Sequence, residues 1–205
     1  MYSVVKRGFD FFSSTLLFIV ISPLFAVLSI LVWIKMGRPI FFRQTRTTKH
    51  QRCFGIIKFR SMTDARDENG ELLPDEERKT KLGIWLRATS LDELPELINI
   101  IKGDMSVIGP RPLLPKHNPY YTDYELNRFK VKGGLIPPET LGNNPTPTWD
   151  EQLKGEADYA INVGLILDLK ILIKVFQLLF RRDSNDYGEY IREDLEHERK
   201  HLKSS

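Results

Sequence analysis

Between Asp10 and Lys35 the chain carries no charged residue, and the stretch from Phe11 to Ile34 is built mostly of Leu, Ile, Val and Phe. As one straight helix its 24 residues reach ~36 Å, enough to cross a bilayer. The run is long for the apolar part of a signal peptide, and Trp33-Ile34-Lys35-Met36 is no small-residue cleavage site. Ser22-Pro23 lies at its centre. Proline inside a helix removes a hydrogen bond and clashes with the preceding turn, at a cost of ~3 kcal/mol. A break there leaves two arms of about 11 to 12 residues, ~17 Å each, too short to cross alone. The serine hydroxyl is placed to take up the carbonyl that the proline leaves free. Lys6 and Arg7 precede the segment; Lys35, Arg38, Arg43, Arg46, Lys49, Arg52, Lys58 and Arg60 follow it, with no acidic residue from 35 to 63. Positive charge marks the cytoplasmic side of a membrane segment. A re-entrant hairpin keeps both basic flanks inside, whereas a kinked spanning helix exports one. The residues alone leave these two readings level.

The rest of the chain is globular in character. With 205 residues it suits one domain and an appendage. Hydrophobic residues at 41% and charged residues at 28% exclude wholesale disorder. A single cysteine, Cys53, excludes an internal disulfide, a zinc ribbon and CxxC redox chemistry. No G-x-x-x-x-G-K, G-x-G-x-x-G or G-x-S-x-G occurs, so NTPase, dinucleotide and serine-hydrolase readings lose their main support.

Ile40-Phe41-Phe42 and Phe54-Gly55-Ile56-Ile57 flank a polar, basic middle, which predicts a β-hairpin over 39–59. Residues 64–81 read as a charged surface loop with a short helix at 75–81. In Ser90-Leu91-Asp92-Glu93-Leu94-Pro95-Glu96, a helix starts and Gly103 stops it. Ser90 and Glu93 form a capping-box pattern, but a Ser90 cap leaves Pro95 inside the helix; an Asp92 cap puts it in the first turn. Such local conflicts collect at functional sites. In Gly109-Pro110-Arg111-Pro112, two prolines hold Arg111 in a stiff segment, and its guanidinium fork suits phosphate oxygens; a surface arginine in a proline turn is the plainer reading. Residues 118–132 predict a helix with an aromatic stripe, and Gly133 to Trp149 an ordered loop. Ala160 to Phe180, interrupted by Asp168, Lys170 and Lys174, predicts an amphipathic docking helix. The tail from Asp183 is highly charged and is expected to be solvated. The expected class is α+β, mostly helical, with a membrane segment over 1–38, a catalytic body over 39–182 and a tail over 183–205.

Seven short patterns occur in a fixed order: Lys6-Arg7 with Phe9-Asp10, Ser22-Pro23, Phe42-x-Gln44-x-Arg46, Lys58-Phe59-Arg60-Ser61-Met62, Ser90-Leu91-Asp92-Glu93-Leu94-Pro95, Lys102-Gly103-Asp104-Met105-Ser106 and Gly109-Pro110-Arg111-Pro112. Each is weak alone. Together they resemble the bacterial sugar transferase family, the monotopic phosphoglycosyl transferases, from about residue 4 to 131 and again from Trp149 to Lys174. The resemblance implies a small, catalytic-domain member with a re-entrant helix broken at Ser22-Pro23 and amphipathic interfacial helices. It implies transfer of a phospho-sugar from a UDP-sugar to polyprenol phosphate at the cytoplasmic face of the bacterial inner membrane, with UMP released. One segment departs: where the family usually reads P-G-[IL]-T-G-x-A-Q-V-x-G-R-N, this chain has Gly133-Gly134-Leu135-Ile136-Pro137-Pro138-Glu139-Thr140-Leu141-Gly142-Asn143-Asn144-Pro145.

By the same resemblance Asp92 is the nucleophile that forms a phosphosugar-aspartyl intermediate. Glu93 is a base or, with Asp92, a ligand of Mg²⁺, since two carboxylates meet a diphosphate through a cation. Arg111 is the phosphate clamp, with Lys58 and Arg60 as further candidates. Asp168 is expected to support one of these three bases. A membrane-anchored adaptor that binds anionic headgroups through the hairpin is the competing class; release of UMP separates the two. Nucleic-acid binding through 35–60 is disfavoured by the adjoining membrane segment.

Overall fold

The computed structural model describes residues 2–142, 144, 146–180 and 193–200. Its order is α1 (Tyr2–Met36), β1 (Phe41–Thr47), β2 (Cys53–Phe59), α2 (Asp75–Arg78), α3 (Lys81–Ala88), α4 (Glu96–Lys102), β3 (Ser106–Ile108), β4 (Gly134–Ile136), α5 (Trp149–Asn162), α6 (Leu165–Phe180) and α7 (Leu195–Glu198), with short 3-10 turns between several of them. The mostly helical α+β class is as the sequence predicts. The chain divides into two compact units.

One unit comprises Phe11–Gln44 and Gly55–Lys102. It holds most of α1, and the expected break takes a different form there. The helix is continuous from Tyr2 to Met36 with Pro23 inside it, so the two arms are one element carrying a local defect. The defect is repaired as the sequence predicts. The carbonyl that a residue at 23 would normally satisfy is that of Ile19, and Ser22 Oγ donates to it at 2.8 Å. Phe12, Leu16, Ile19, Val20 and Ile34 are all more than 60% exposed. Towards its far end one face of α1 is buried: Leu28, Val32 and Met36 pack with Phe59 and Leu86, flanked by Phe25, Phe41, Leu91 and Leu94, while Ile30, Trp33 and Ile34 stay exposed.

β1 and β2 form the predicted hairpin around a 3-10 turn at Lys49–Gln51. Asn99 helps fasten α4 to β2. Asn99 Oδ1 accepts from the Ile57 amide at 3.0 Å, and Nδ2 donates to the Gly55 carbonyl at 2.8 Å. α3 lies equally close to the segment after β2. A Cβ on Gly83 would sit 1.7 Å from the Ser61 carbonyl oxygen, so only glycine permits that approach.

The other unit comprises residues up to Asp10, Thr45–Phe54 and those from Gly103 onward. β3 and β4 pair in parallel, with Ser106 opposite Gly134 and Ile108 opposite Ile136. Their backbones nearly touch: a Cβ on Gly134 would lie 2.1 Å from the Gly109 nitrogen. Ile108, Tyr159 and Ile171 form one small core, and Leu113, Tyr120, Tyr121, Phe129, Trp149, Leu153 and Leu195 form another. The helix predicted over 118–132 is two 3-10 turns, Pro115–Tyr120 and Glu125–Lys130. Pro119, inside the first of these, cannot donate the bond a regular helix would need there. α6 is the predicted amphipathic helix, leaving Leu165, Ile166, Leu169, Ile173 and Phe176 exposed.

The start of α1 is bound by polar contacts within this unit. Asp10 accepts from Ser106 Oγ at 2.8 Å and from the Val107 amide at 3.0 Å. Lys6 pairs with Asp168 at 2.6 Å, and Tyr2 and Tyr159 both donate to Asp168. The described part of the tail also departs from expectation. Leu195 is fully buried, Trp149 Nε1 donates to the Glu193 carbonyl, and Arg199 grips Glu125 with two bonds of 2.7 and 2.8 Å. A charged composition concealed one apolar residue at the right register; residues 183–192 and 201–205 lie outside the described residues.

Candidate active site

The acidic pair sits on a 3-10 turn, Leu91–Glu93, just ahead of α4. Ser90 enters it with a left-handed backbone (φ 57°) and makes no side-chain cap bond, so the capping box is not formed. Pro95 directly precedes α4, where its missing N–H harms nothing, and Gly103 (φ 91°) follows it, as a helix stop should. Leu91 and Leu94 anchor the turn in the Phe59 core.

Asp92 is 9% exposed. Burial raises its pKa above the usual carboxylate range, the Lys58 charge pulls it back, Glu93 pushes it up, and Arg87 lowers it. Lys58, on β2, lies 2.6 Å from Glu93 and 3.2 Å from Glu96. The Asn99 bonds to β2 explain this meeting, because they fix β2 beside the start of α4. Arg87, on α3, donates to Ser61 Oγ at 2.9 Å. The group therefore holds three carboxylates around one ammonium, with a guanidinium nearby. Arg60 is also in this unit, but its guanidinium is engaged: Nε donates to the Met62 carbonyl at 2.8 Å, Nη1 reaches the Pro39 carbonyl at 3.4 Å and Nη2 pairs with Asp64 at 3.2 Å.

Arg111 lies in the other unit. Its side chain is exposed while its backbone is fixed at both ends: the amide donates to Glu156 Oε1 at 2.9 Å, and the carbonyl accepts from Arg128 Nη2 at 2.6 Å. Arg128 and Glu156 are themselves a fully buried ion pair at 2.7 Å. Asp168 supports none of Arg111, Lys58 and Arg60; its partners are Tyr2, Lys6 and Tyr159. Glu96, Arg87, Arg128 and Glu156 were not legible as site residues. Glu96 had a signal, one turn beyond the acidic pair; the Arg128–Glu156 pair spans 28 residues with no local pattern.

The described residues contain no cluster of three metal-ligating side chains. Mg²⁺ is commonly held by one or two carboxylates and substrate phosphates rather than by an all-protein cage, and of the two carboxylates here Glu93 already faces the Lys58 ammonium at 2.6 Å.

The family model of the bacterial sugar transferases matches residues 1–182. The uncharacterized sugar transferase EpsL of Bacillus subtilis (strain 168) is 40% identical over 169 residues, covering 82% of this chain and 84% of that protein. A UDP-glucose:undecaprenyl-phosphate glucose-1-phosphate transferase of Caulobacter vibrioides is 30% identical over 190 residues, covering 87% of this chain and 71% of that protein. A UDP-N-acetylgalactosamine-undecaprenyl-phosphate N-acetylgalactosaminephosphotransferase of Aeromonas hydrophila is 30% identical, again over 87% of this chain but only 44% of its own length. On this breadth of match, across nearly the whole described chain, the protein belongs to the bacterial sugar transferase family.

Proposed function

We propose that the chain transfers a sugar 1-phosphate from a UDP-sugar to a polyprenol phosphate at the cytoplasmic face of the inner membrane, releasing UMP. The observation that carries the reading is Asp92, a buried carboxylate on a strained turn beside Lys58 and Arg87. Its oxygen attacks the phosphorus that bears the sugar, forming an aspartyl–phosphorus bond while the bond to UMP breaks. Lys58 keeps enough of Asp92 ionised for that attack, against the effect of burial. A polyprenol phosphate oxygen then attacks the same phosphorus. The aspartyl bond breaks, Asp92 is restored, and a polyprenyl diphosphate sugar leaves. In this reading Glu93 accepts the acceptor's proton or binds Mg²⁺ together with Asp92. When bound, that ion neutralises charge on the diphosphate. Arg111 holds phosphate oxygens with a fork whose backbone cannot shift. The relatives named for undecaprenyl-phosphate transfer support this substrate class.

A re-entrant α1 belongs to the same proposal. Tyr2, Lys6 and Asp10 bond to polar groups of one unit, and Leu28, Val32 and Met36 are buried in the core of the other. Contacts of these kinds at both ends, with exposed apolar side chains such as Phe12, Leu16, Ile19 and Val20 between them, support a helix that dips into lipid and returns.

The test is UMP release with a set of UDP-sugars and undecaprenyl phosphate. Asp92→Asn should lower turnover by about 10³-fold or more while the protein still inserts and folds. Incubating the parent with UDP-sugar alone should add a phospho-sugar mass to the peptide containing Asp92. Near-normal turnover by the Asn variant overturns the nucleophile, and a parent that releases no UMP points back to a lipid-binding adaptor.

A further inference from the structure

Lys58 sits among three carboxylates and pairs with two of them. Its ammonium lies 2.6 Å from Glu93 and 3.2 Å from Glu96. The third, Asp92, feels the Lys58 charge without pairing to it: among the described residues no hydrogen bond or ion pair joins Asp92 to a side chain. The other charges that act on Asp92 are Glu93, on its own turn, and Arg87, on α3. A lysine chain is flexible, and an ammonium that nothing held would settle on a carboxylate so near.

Glu96 is the partner that the fold supplies. It is 3% exposed, whereas Glu93 is only half-buried. It opens α4 three residues before Asn99, and residues three apart share one face of a helix. Asn99 binds the Ile57 amide and the Gly55 carbonyl of β2. The face that clasps the strand therefore also turns Glu96 towards Lys58, the residue after Ile57. A buried carboxylate needs a cation in contact, which keeps this pair in place. Glu93 has other work. In the transferase reading it takes up a proton or a cation, and either act loosens its bond to Lys58. An ammonium left without a second anchor would then fall on Asp92 and engage the oxygen that must attack phosphorus.

We propose that Glu96 is a positioning residue: it keeps the Lys58 ammonium close to Asp92 but off it, so that the attacking oxygen has the benefit of the charge and keeps its lone pairs free. The assignment rests on the transferase reading, with Asp92 as nucleophile. It accounts for two acids sharing one ammonium beside the nucleophile.

The experiment uses the full-length protein. Loading of Asp92 is followed from the mass of its peptide, with UDP-sugar and no acceptor, and UMP release with undecaprenyl phosphate is followed across pH. In Glu96→Gln, loading at saturating donor should slow about tenfold or more, with the donor KM changed far less. The acidic limb of the kcat/KM profile should move to lower pH, because an ammonium in contact favours the ionised carboxylate. Loss of Lys58 itself should move that limb the other way. Glu96→Asp keeps the charge but falls one methylene short; it should show both changes at smaller size, and it serves where the Gln variant folds poorly. In a Lys58→Met background, Glu96→Gln should slow loading no further, since no ammonium remains to fall on Asp92. Activity lost only in step with folded protein, with the limb unmoved, is what a structural ion pair gives and overturns the assignment alone. A further loss in the Lys58→Met background overturns it as well. No UMP from the parent with any donor overturns the transferase reading, and this assignment with it.

Discussion

Lys58 neighbours three acids at once, and its role in the chemistry follows from that crowding. It pairs with Glu93 and Glu96 and lowers the pKa of Asp92, against burial. Removing it should raise the Asp92 pKa further, because burial and the Glu93 charge then act without the opposing Lys58 charge. Asp92 must be ionised to attack, so the acidic limb of the kcat/KM profile for UMP release should move to higher pH in Lys58→Met. Turnover near neutrality should fall by on the order of tenfold or more. Lys58→Arg should hold the limb near its original place. An unmoved limb in the Met variant would mean that Asp92 does not depend on this charge. Asp92, Glu93 and Lys58 were legible in the sequence because each stands in a short motif with a local oddity: a proline too early for its helix, or a lysine in a run without acids. The Arg128–Glu156 pair was not. It joins residues 28 apart in the chain, which no periodicity reveals.

At the level of elements, the structure separates what holds the site from what acts in it. Arg111 is set by its neighbours on α5 and the 3-10 turn Glu125–Lys130, through Glu156 and Arg128. Breaking a buried ion pair from one side leaves the other charge stranded, at about 3–5 kcal/mol. Glu156→Gln should therefore show a clearly lower melting temperature in detergent micelles, with activity lost in proportion to unfolding. Arg111→Lys should behave oppositely. Its exposed side chain leaves the melt unchanged, while a point charge replaces the bidentate fork and turnover falls nearly as far as in Arg111→Ala. The hairpin, α4 and the amphipathic α6 were all legible, because each has its own hydrophobic period. The stretch 118–132 was misread as a helix because its aromatic spacing was weighed above Pro119, which interrupts its first part.

For the molecule as a whole, the open quantity is which side of the membrane each end of α1 occupies. The sequence left this level because the proline argument constrains the helix and not its ends. The contacts of Tyr2, Lys6 and Asp10 bear on the ends directly. In a Cys53→Ser background, a cysteine at Ser3 should resist a membrane-impermeant thiol reagent in cells with only the outer membrane permeabilised. It should label once the inner membrane is opened. Replacing Ser22 and Pro23 by Ala removes the defect and lets the helix straighten, so part of the population should label early, with Lys6 and Arg7 opposing export. Labelling of the parent in sealed cells would establish a spanning helix.

The family pattern ends at residue 182, yet Leu195 and Arg199 complete a core that begins at Leu113. The boundary inherited by descent is thus not the boundary at which this chain finishes folding. A chain cut after residue 182 keeps every motif and loses the partner of Glu125, a carboxylate 6% exposed, together with the apolar plug over Tyr120 and Trp149. It should be less stable by about 3–5 kcal/mol, read as a lower denaturant midpoint, and more prone to aggregate on extraction. Supplying residues 193–200 as a separate peptide should restore part of the loss. Residues 193–200 thus act as a clasp on that core, supplied from beyond the last residue of the family match.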